Sequence, residues 1–305
     1  MRSQPLDAAP QVINVHRAVT ALAPLAATHD LVITHGNGPQ VGLLALESAA
    51  DTALARPYPL DALGAETQGL IGYWLAQAML NAVPGREVVA LVTQTLVVRD
   101  DPAFSEPTKF IGPTYTEDQA RTLATARGWT VRADGTYWRR VVPSPAPQSI
   151  IEIEVIERLV NSGVVVVCGG GGGVPVIRDA AGDVVGVEAV IDKDLSSALI
   201  AELIHADALL LLTDVAAVST DINDPAAATI TRSTPGDLRR RQFPAGSMGP
   251  KVEAACRFVE RGGGMAAIGA LADAAAILEG TAGTIVTTSG VYPDISSSTS
   301  GIKGT

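Results

Sequence analysis

Cysteine is nearly absent from this chain of 305 residues. It has only Cys168 and Cys256, which excludes a disulfide scaffold and suits a reducing cytoplasm. Long apolar runs are missing too: none approaches the ~20 residues of a membrane span, and no signal peptide is expected ahead of the first polar residues. Positive charge is scarce, with 22 Lys+Arg against 32 Asp+Glu and a formal charge of −10. Such a surface repels phosphate backbones on average and argues against wholesale nucleic-acid binding. Lysine is scarcest of all, four against 18 arginines. What is present, 47% hydrophobic and 18% charged residues, excludes a disordered chain. It suffices for one large α/β domain or two ordinary ones.

The second half alternates helical and strand patterns. Ser149-Ile-Ile-Glu152 reads as a capping box opening a helix, with Ile153, Ile156, Leu159 and Val160 on one face and Asn161-Ser162-Gly163 as its stop. Val164 to Cys168 is a continuous β-branched run of the kind buried on both faces of a sheet. Arg178 to Asp183 reads as a hairpin, Leu195 to Ile204 as a helix and Leu209 to Leu212 as a buried strand. Pro250 to Arg261 is helical, Met265 to Leu271 a strand, Ala274 to Leu278 a short helix and Thr284 to Thr288 a last strand. The first half predicts a helix around Pro10 to Leu25, a strand over Leu31 to Thr34 and a helix from Pro39. A further helix over Gly69 to Leu80 then leads to a strand over Val88 to Gln94. This alternation predicts a mostly parallel sheet covered by helices on both faces. Between Arg99 and Pro147 the pattern breaks, and a Pro-, Gly- and Thr-rich stretch reads as an inserted lid. A Ser/Thr/Gly-rich tail follows Ser296.

Ligands of open α/β sheets sit beyond the carboxyl ends of strands. Thr34-His-Gly-Asn-Gly-Pro39 puts bare backbone between a strand and a helix with proline in its first turn, an anion cradle by composition. The five glycines from Gly169 to Gly173 do the same after another buried strand. Either run alone could serve tight packing only. The Walker phosphate loop, the dinucleotide fingerprint and the Gly-x-Ser-x-Gly elbow are absent, and His16, His29, His35 and His205 have no metal-ligand spacing. Cys168 has no base within its motif and reads as a small buried residue rather than a nucleophile. Three of the four lysines stand in Pro107-Thr-Lys109, Ile191-Asp-Lys193-Asp194 and Gly246-Ser-Met-Gly-Pro-Lys251. Compact ammonium groups suit phosphate, and a cation at a helix start is disfavoured unless an anion compensates it. Exposed lysines on frayed helix ends are the plainer alternative. Asp192 and Asp194 could hold Lys193 or help ligate Mg²⁺, or either could simply cap the next helix. Ammonium groups, glycine cradles and carboxylates together suit direct in-line phosphoryl transfer.

The strings His35-Gly-Asn-Gly-Pro-Gln-Val-Gly42, Thr67-Gln-Gly-Leu-Ile-Gly-Tyr-Trp74, Pro107-Thr-Lys-Phe-Ile-Gly-Pro113, Trp138-Arg-Arg-Val-Val-Pro-Ser-Pro145, Gly169-Gly-Gly-Gly172, Val187-Glu-Ala-Val-Ile-Asp-Lys-Asp194 and Gly246-Ser-Met-Gly-Pro-Lys-Val-Glu-Ala254 together resemble the motif set of the carbamate kinases, of the amino acid kinase superfamily. The resemblance runs from about Gln11 to Thr287. It implies a three-layer αβα sandwich around a mostly parallel central sheet with an inserted lid at about 100–147. A carbamate- and phosphoryl-binding lobe would cover about 1–190, a nucleotide-binding lobe about 191–290 and a flexible tail 291–305. It implies a cytoplasmic homodimer of arginine metabolism, interconverting carbamoyl phosphate plus Mg-ADP with carbamate plus ATP, without nucleic-acid or membrane partners. Carried over residue by residue, Lys109 and Lys193 contact the transferring phosphoryl group and Asp194 orients both lysines. Gly36, Asn37 and Gly38, with Gly170 and Gly171, form the substrate pocket. Thr213, Asp214, Val215 and Met248 border the nucleotide, and Lys251 meets its phosphates.

Similar proteins open with a short buried strand and an Ala-Leu-Gly-Gly-Asn-Ala-like turn, whereas this chain opens Met1-Arg-Ser-Gln-Pro-Leu-Asp7. The expectation is a sheet one strand short and a site lacking one anion cradle, through a start assigned too far downstream or real degeneracy. Ala133-Asp-Gly-Thr-Tyr-Trp138 also departs from the Arg-Gly pair usual before that Trp. Two alternatives follow: a catalytically impaired nucleotide-binding relative, or another amino acid kinase acting on a carboxylate.

Overall fold

The computed structural model describes residues 7–221, 227–243 and 248–290. The chain divides into two compact units, residues 1–200 and 201–305. In the first, helix α1 (Ala8–Thr28) precedes strand β1 (Val32–Ile33), helix α2 (Gly38–Ala50) and helix α3 (Leu60–Ala82). Strands β2 (Val88–Ala90) and β3 (Gln94–Val97) follow, then β4 (Lys109–Tyr115), helix α4 (Glu117–Arg127), β5 (Thr130–Asp134), β6 (Tyr137–Val142) and β7 (Pro147–Ile150). Helix α5 (Ile153–Asn161), β8 (Val165–Val167), β9 (Val174–Arg178), β10 (Val184–Gly186) and helix α6 (Lys193–Leu203) complete it, the last turn of α6 leading into the second unit.

Parallel ladders organise this unit. β8 lies between β1 and β2, parallel to both, pairing Val166 with Val32 and Val89. Burial of all three valines of β8 matches the unbroken β-branched run, which needs cover on both faces. A second sheet has the order β10-β9-β3-β7, with β9 and β3 parallel and the outer pairs antiparallel. Segment 109–142 folds separately, as the antiparallel sheet β4-β6-β5 with α4 against it. Val41 and Ala45 of α2, Leu60 and Leu63 of α3, Ile111 of β4 and Val142 of β6 share one buried cluster. That cluster seats β4, and Lys109 at its start, on the helices that follow the first glycine turn.

The second unit holds β11 (Ala208–Thr213), β12 (Val218–Ser219), β13 (Thr229–Ile230), β14 (Arg232–Ser233), helix α7 (Pro235–Arg239), helix α8 (Met248–Glu260), β15 (Met265–Ala270), helix α9 (Ala274–Leu278) and β16 (Thr284–Val286). Its main sheet runs β11-β15-β16-β14, with β11 parallel to β15 over six residue pairs and β16 antiparallel to β15. Met265, Ala267, Ile277 and Ile285 form its buried centre, with Leu210 and Leu212 against it.

Three expectations are corrected here. Ser149 does not cap a helix: it lies in β7, and α5 starts at Ile153 without a side-chain cap. Glu152 instead accepts from the backbone N–H and side-chain amide of Gln94, at 2.8 and 2.9 Å, which leaves no carboxylate for a box. A capping box does exist at Thr116 and Gln119, opening α4. The helix expected from Gly69 begins nine residues earlier, because Leu60 and Leu63 continue the buried stripe of Thr67, Ile71 and Leu75. Finally, the strand expected over Val88 to Gln94 is two strands: β2 ends at Ala90 and β3, in another sheet, starts at Gln94. Among the described residues no strand precedes α1. Gly246, Ser247 and the tail from Ser296 lie outside the described residues.

Candidate active site

The two glycine turns of the first unit meet. The first leaves β1 at Ile33 and enters α2 at Gly38; the second leaves β8 at Val167. Because β1 and β8 are parallel neighbours, their carboxyl ends emerge side by side. Gly171 donates its N–H to the His35 carbonyl at 2.7 Å, stitching one turn to the other. A Cβ on Gly171 would lie 2.2 Å from Asn37 Nδ2, and Gly171 has φ +65°, so neither the space nor the backbone admits a side chain. A Cβ on Gly170 would meet the His35 ring at 2.4 Å. On Gly36 a Cβ would stand 3.3 Å from Cδ and Cε of Lys193. The Lys193 stem therefore lies over the first turn.

Lys193 is the first residue of α6, an unfavourable place for a cation. The compensating anion is its neighbour: Asp194 Oδ1 is 2.9 Å from the ammonium. Lys109 reaches the same helix start by a different carboxylate. Its Nζ stands 2.6 Å from Asp192 Oδ2, with side chains 31% and 14% exposed. In the described contacts, then, Asp194 lies on Lys193 and Asp192 on Lys109. Asp192 also caps α6, its Oδ1 accepting from the N–H groups of Asp194 and Leu195 at 2.9 and 3.3 Å. Burial pushes the Asp192 carboxyl up, but the Lys109 charge, its hydrogen bond, the Leu195 N–H and Lys193 outweigh that and hold it below the usual range.

Polar side chains behind the turns hold them in place. Thr67 and Gln68, both buried in the middle of α3, serve different turns. Thr67 Oγ1 accepts from Asn37 Nδ2 at 2.7 Å. Gln68 clasps the backbone of Thr93, accepting from its N–H at 2.9 Å and donating to its carbonyl at 3.1 Å. The Thr93 hydroxyl in turn accepts from Gly169 N–H at 3.0 Å. Thr95 Oγ1 donates to the Gly172 carbonyl at 2.8 Å and occupies the space a side chain on Gly173 would need. Glu188 accepts from the N–H of Leu60 at 2.7 Å, anchoring the start of α3. Thr67, Gln68 and Glu188 lie inside the family-like strings without a role readable from sequence, and Thr93 and Thr95 lie outside those strings. For Thr67 and Gln68 the signal is a paired Thr-Gln on an otherwise apolar helix face.

His35 is partly buried, and that desolvation lowers its pKa, with the bond to the Gly36 carbonyl working the other way. Because a carbonyl only accepts, Nδ1 carries the proton of that 3.2 Å bond. Burial pushes the Cys168 thiol up to about 12, as fits the small buried residue expected.

In the second unit, Thr213 ends β11 and its hydroxyl donates to Asp214 at 3.1 Å, with Val215 exposed after it. Met248 is the first residue of α8 and Lys251 lies in its first turn. Among the described residues no group of three or more His, Cys, Asp or Glu could hold a metal ion, and no helix is long and apolar enough to cross a membrane.

A parallel sheet whose adjoining strand ends form glycine turns, one of them under the Lys193 stem, suits a phosphoryl-handling enzyme. The model of the amino acid kinase family matches residues 6–269, and the chain belongs to that family, with carbamate kinases as its similar relatives. That of Rhizobium meliloti (strain 1021) is 49% identical over 291 residues, covering 94% of this chain and 90% of that one. That of Haemophilus influenzae is 47% identical over 287 residues, covering 94% and 92%. The structure of carbamate kinase from Giardia lamblia bound to AMP-PNP superimposes with a TM-score of 0.85 at 38% identity, covering 94% of each chain. The αβα architecture expected from the sequence is the fold of these proteins.

Proposed function

We propose that this protein transfers a phosphoryl group reversibly between carbamoyl phosphate and Mg-ADP, giving carbamate and ATP. The observation that carries the reading is the placing of the Lys193 stem over Gly36 while the Asn37 amide lies on Gly171. Two bare-backbone turns thereby meet, with one cation lying over the first, a setting for an oxygen-rich anion that gains charge during transfer.

In the ATP-forming direction a terminal oxygen of ADP attacks phosphorus in line. The bond from phosphorus to the carbamoyl oxygen breaks, and its electrons leave with carbamate. Lys109 and Lys193 neutralise the equatorial oxygens, and Asp194 holds Lys193 against the turn. Gly36, Asn37, Gly38, Gly170 and Gly171 bind the carbamoyl phosphate. Thr213, Asp214, Val215 and Met248 border the nucleotide, and Lys251 meets its phosphates. Both oxygens of Asp192 are engaged, one on Lys109 and one on the start of α6. Magnesium enters as part of the Mg-ADP substrate.

The assignment of these residues rests on the resemblance of their strings to carbamate kinases, together with the meeting of the first-unit residues described above. A cytoplasmic homodimer serving arginine metabolism is the setting we assign, supported by that resemblance and by two buried free cysteines. ATP formation from carbamoyl phosphate and ADP, coupled to a reporter enzyme, tests the activity, with acetylglutamate plus ATP as the comparison. No ATP above background from folded protein would overturn the reading, and preference for acetylglutamate would replace it with a carboxylate kinase. Light scattering tests the dimer.

A further inference from the structure

Asn37 lies in the turn ahead of α2, and Thr67 in the middle of α3, wholly buried. The Thr67 hydroxyl has one proton, and it goes to the Gly64 carbonyl at 2.8 Å. Oγ1 can then meet Asn37 only as an acceptor, so the 2.7 Å contact is Nδ2–H donating to Oγ1. This settles what the shape of an amide leaves two-fold ambiguous: Nδ2 faces α3 and Oδ1 turns away from it. Gly171 fixes the amide from another direction, since a Cβ there would lie 2.2–2.4 Å from Nδ2, Cγ and Oδ1. Asn37 is therefore held by a hydroxyl on one side and bare backbone on another, and Thr67 engages only one of its two N–H groups.

We propose that Thr67 is a positioning residue for phosphoryl transfer: it orients the Asn37 amide so that the second N–H is offered to an anionic oxygen of carbamoyl phosphate. The inference rests on the assignment of Asn37 to the substrate pocket. Its physical content is preorganisation. An amide free to flip would spend part of its time presenting a carbonyl oxygen to an anion, which repels it, whereas one locked by Thr67 presents a donor before substrate arrives. Threonine suits the task because its hydroxyl in a helix bonds back to a carbonyl in the preceding turn, spending its proton and leaving only lone pairs.

The test is steady-state kinetics on the whole protein with Thr67→Val and Thr67→Ser. Valine keeps the volume and removes the acceptor, so the Michaelis constant for carbamoyl phosphate should rise about 10-fold to 100-fold, the loss expected for a hydrogen bond to a charged group. The constant for ADP should stay unchanged, and Thr67→Ser should bring the carbamoyl phosphate constant back to the wild-type value. A valine variant with unchanged carbamoyl phosphate constant would overturn the proposal. So would one that lost turnover with both constants untouched, because damage to the fold alone lowers the active fraction equally for both substrates. Where the valine variant does not fold, Thr67→Cys, a weak acceptor, should give an intermediate constant; a wild-type constant there would also overturn it. Wild-type protein that formed no ATP would sink the assigned activity itself, an outcome distinct from an active enzyme indifferent to Thr67.

Discussion

The ammonium of Lys109 stands 2.6 Å from Oδ2 of Asp192, the residue next to Lys193. The other oxygen of the same carboxylate caps α6. One side chain thus fixes where the helix bearing Lys193 begins and where Lys109 rests. Asp192→Asn separates the two tasks, because an amide oxygen still caps but no longer pairs with an ammonium. Turnover should fall at least about tenfold with little change in melting temperature. Asp192→Ala should add about 1 kcal/mol of destabilisation from the lost cap. Kinetics and thermal melts on both variants check this; wild-type turnover in the Asn variant would contradict it.

Gly42 on α2 and Gly112 on β4 meet without side chains. A Cβ on Gly42 would stand 2.2 Å from the Gly112 Cα, which is backbone and cannot rotate aside. Gly42→Ala should therefore push β4 off α2, costing about 1–3 kcal/mol in thermal unfolding. Lys109 begins that strand, so the Michaelis constant for carbamoyl phosphate should rise as well. An alanine variant with wild-type melting and kinetics would show that the helix and strand part readily.

Lys193→Ala should lower turnover by several orders while leaving the fold intact, because its cost lies in transition-state charge. Lys251→Ala should chiefly raise the Michaelis constant for ADP. Comparable turnover in the first variant, or an unchanged ADP constant in the second, would show the corresponding assignment to be wrong.

Much of this was legible in the residues. The valine run of β8, the stop at Gly163 and the exact bounds of α9 followed from local chemistry, since burial on both faces and glycine at positive φ leave direct marks on a sequence. The lysines stood out by rarity, and Lys193 does lie over a glycine turn. What failed was competition between partners. Glu152 looks like half of a capping box until Gln94, 58 positions away, claims its carboxylate. Lys109 finds Asp192 across 83 positions, and nothing local distinguishes that aspartate from Asp194 two residues on. The break between β2 and β3 is marked by an equally distant partner, because Gln68 of α3 takes the Thr93 N–H between them.

The cysteines offer a check on packing. Burial pushes Cys168 up to about 12 and Cys256 up to about 11, so neither forms appreciable thiolate near neutral pH. Thiol titration at pH 8 should label no cysteine in native protein and two after unfolding. Rapid native labelling of one would place that sulfur in a more open site than the fold gives it.

His35 gives the protein an acid-sensitive point beside its glycine turns. Burial holds its folded pKa below the ordinary value of about 6.5. An unfolded chain therefore takes up a proton that the folded chain refuses. By linkage, its contribution to stability is full above about pH 6.5 and is lost as pH falls from there through the folded value. Asp192, held below the usual carboxylate range, acts in the same direction in a lower window: its contribution is present above about pH 3.9 and lost below it. The two windows separate the residues experimentally. His35→Asn keeps a donor for the Gly36 carbonyl and removes the titration, so denaturant unfolding between pH 7 and pH 5 should show a smaller loss of stability than in wild type. An equal loss in both proteins would mean that His35 accepts its proton within the fold.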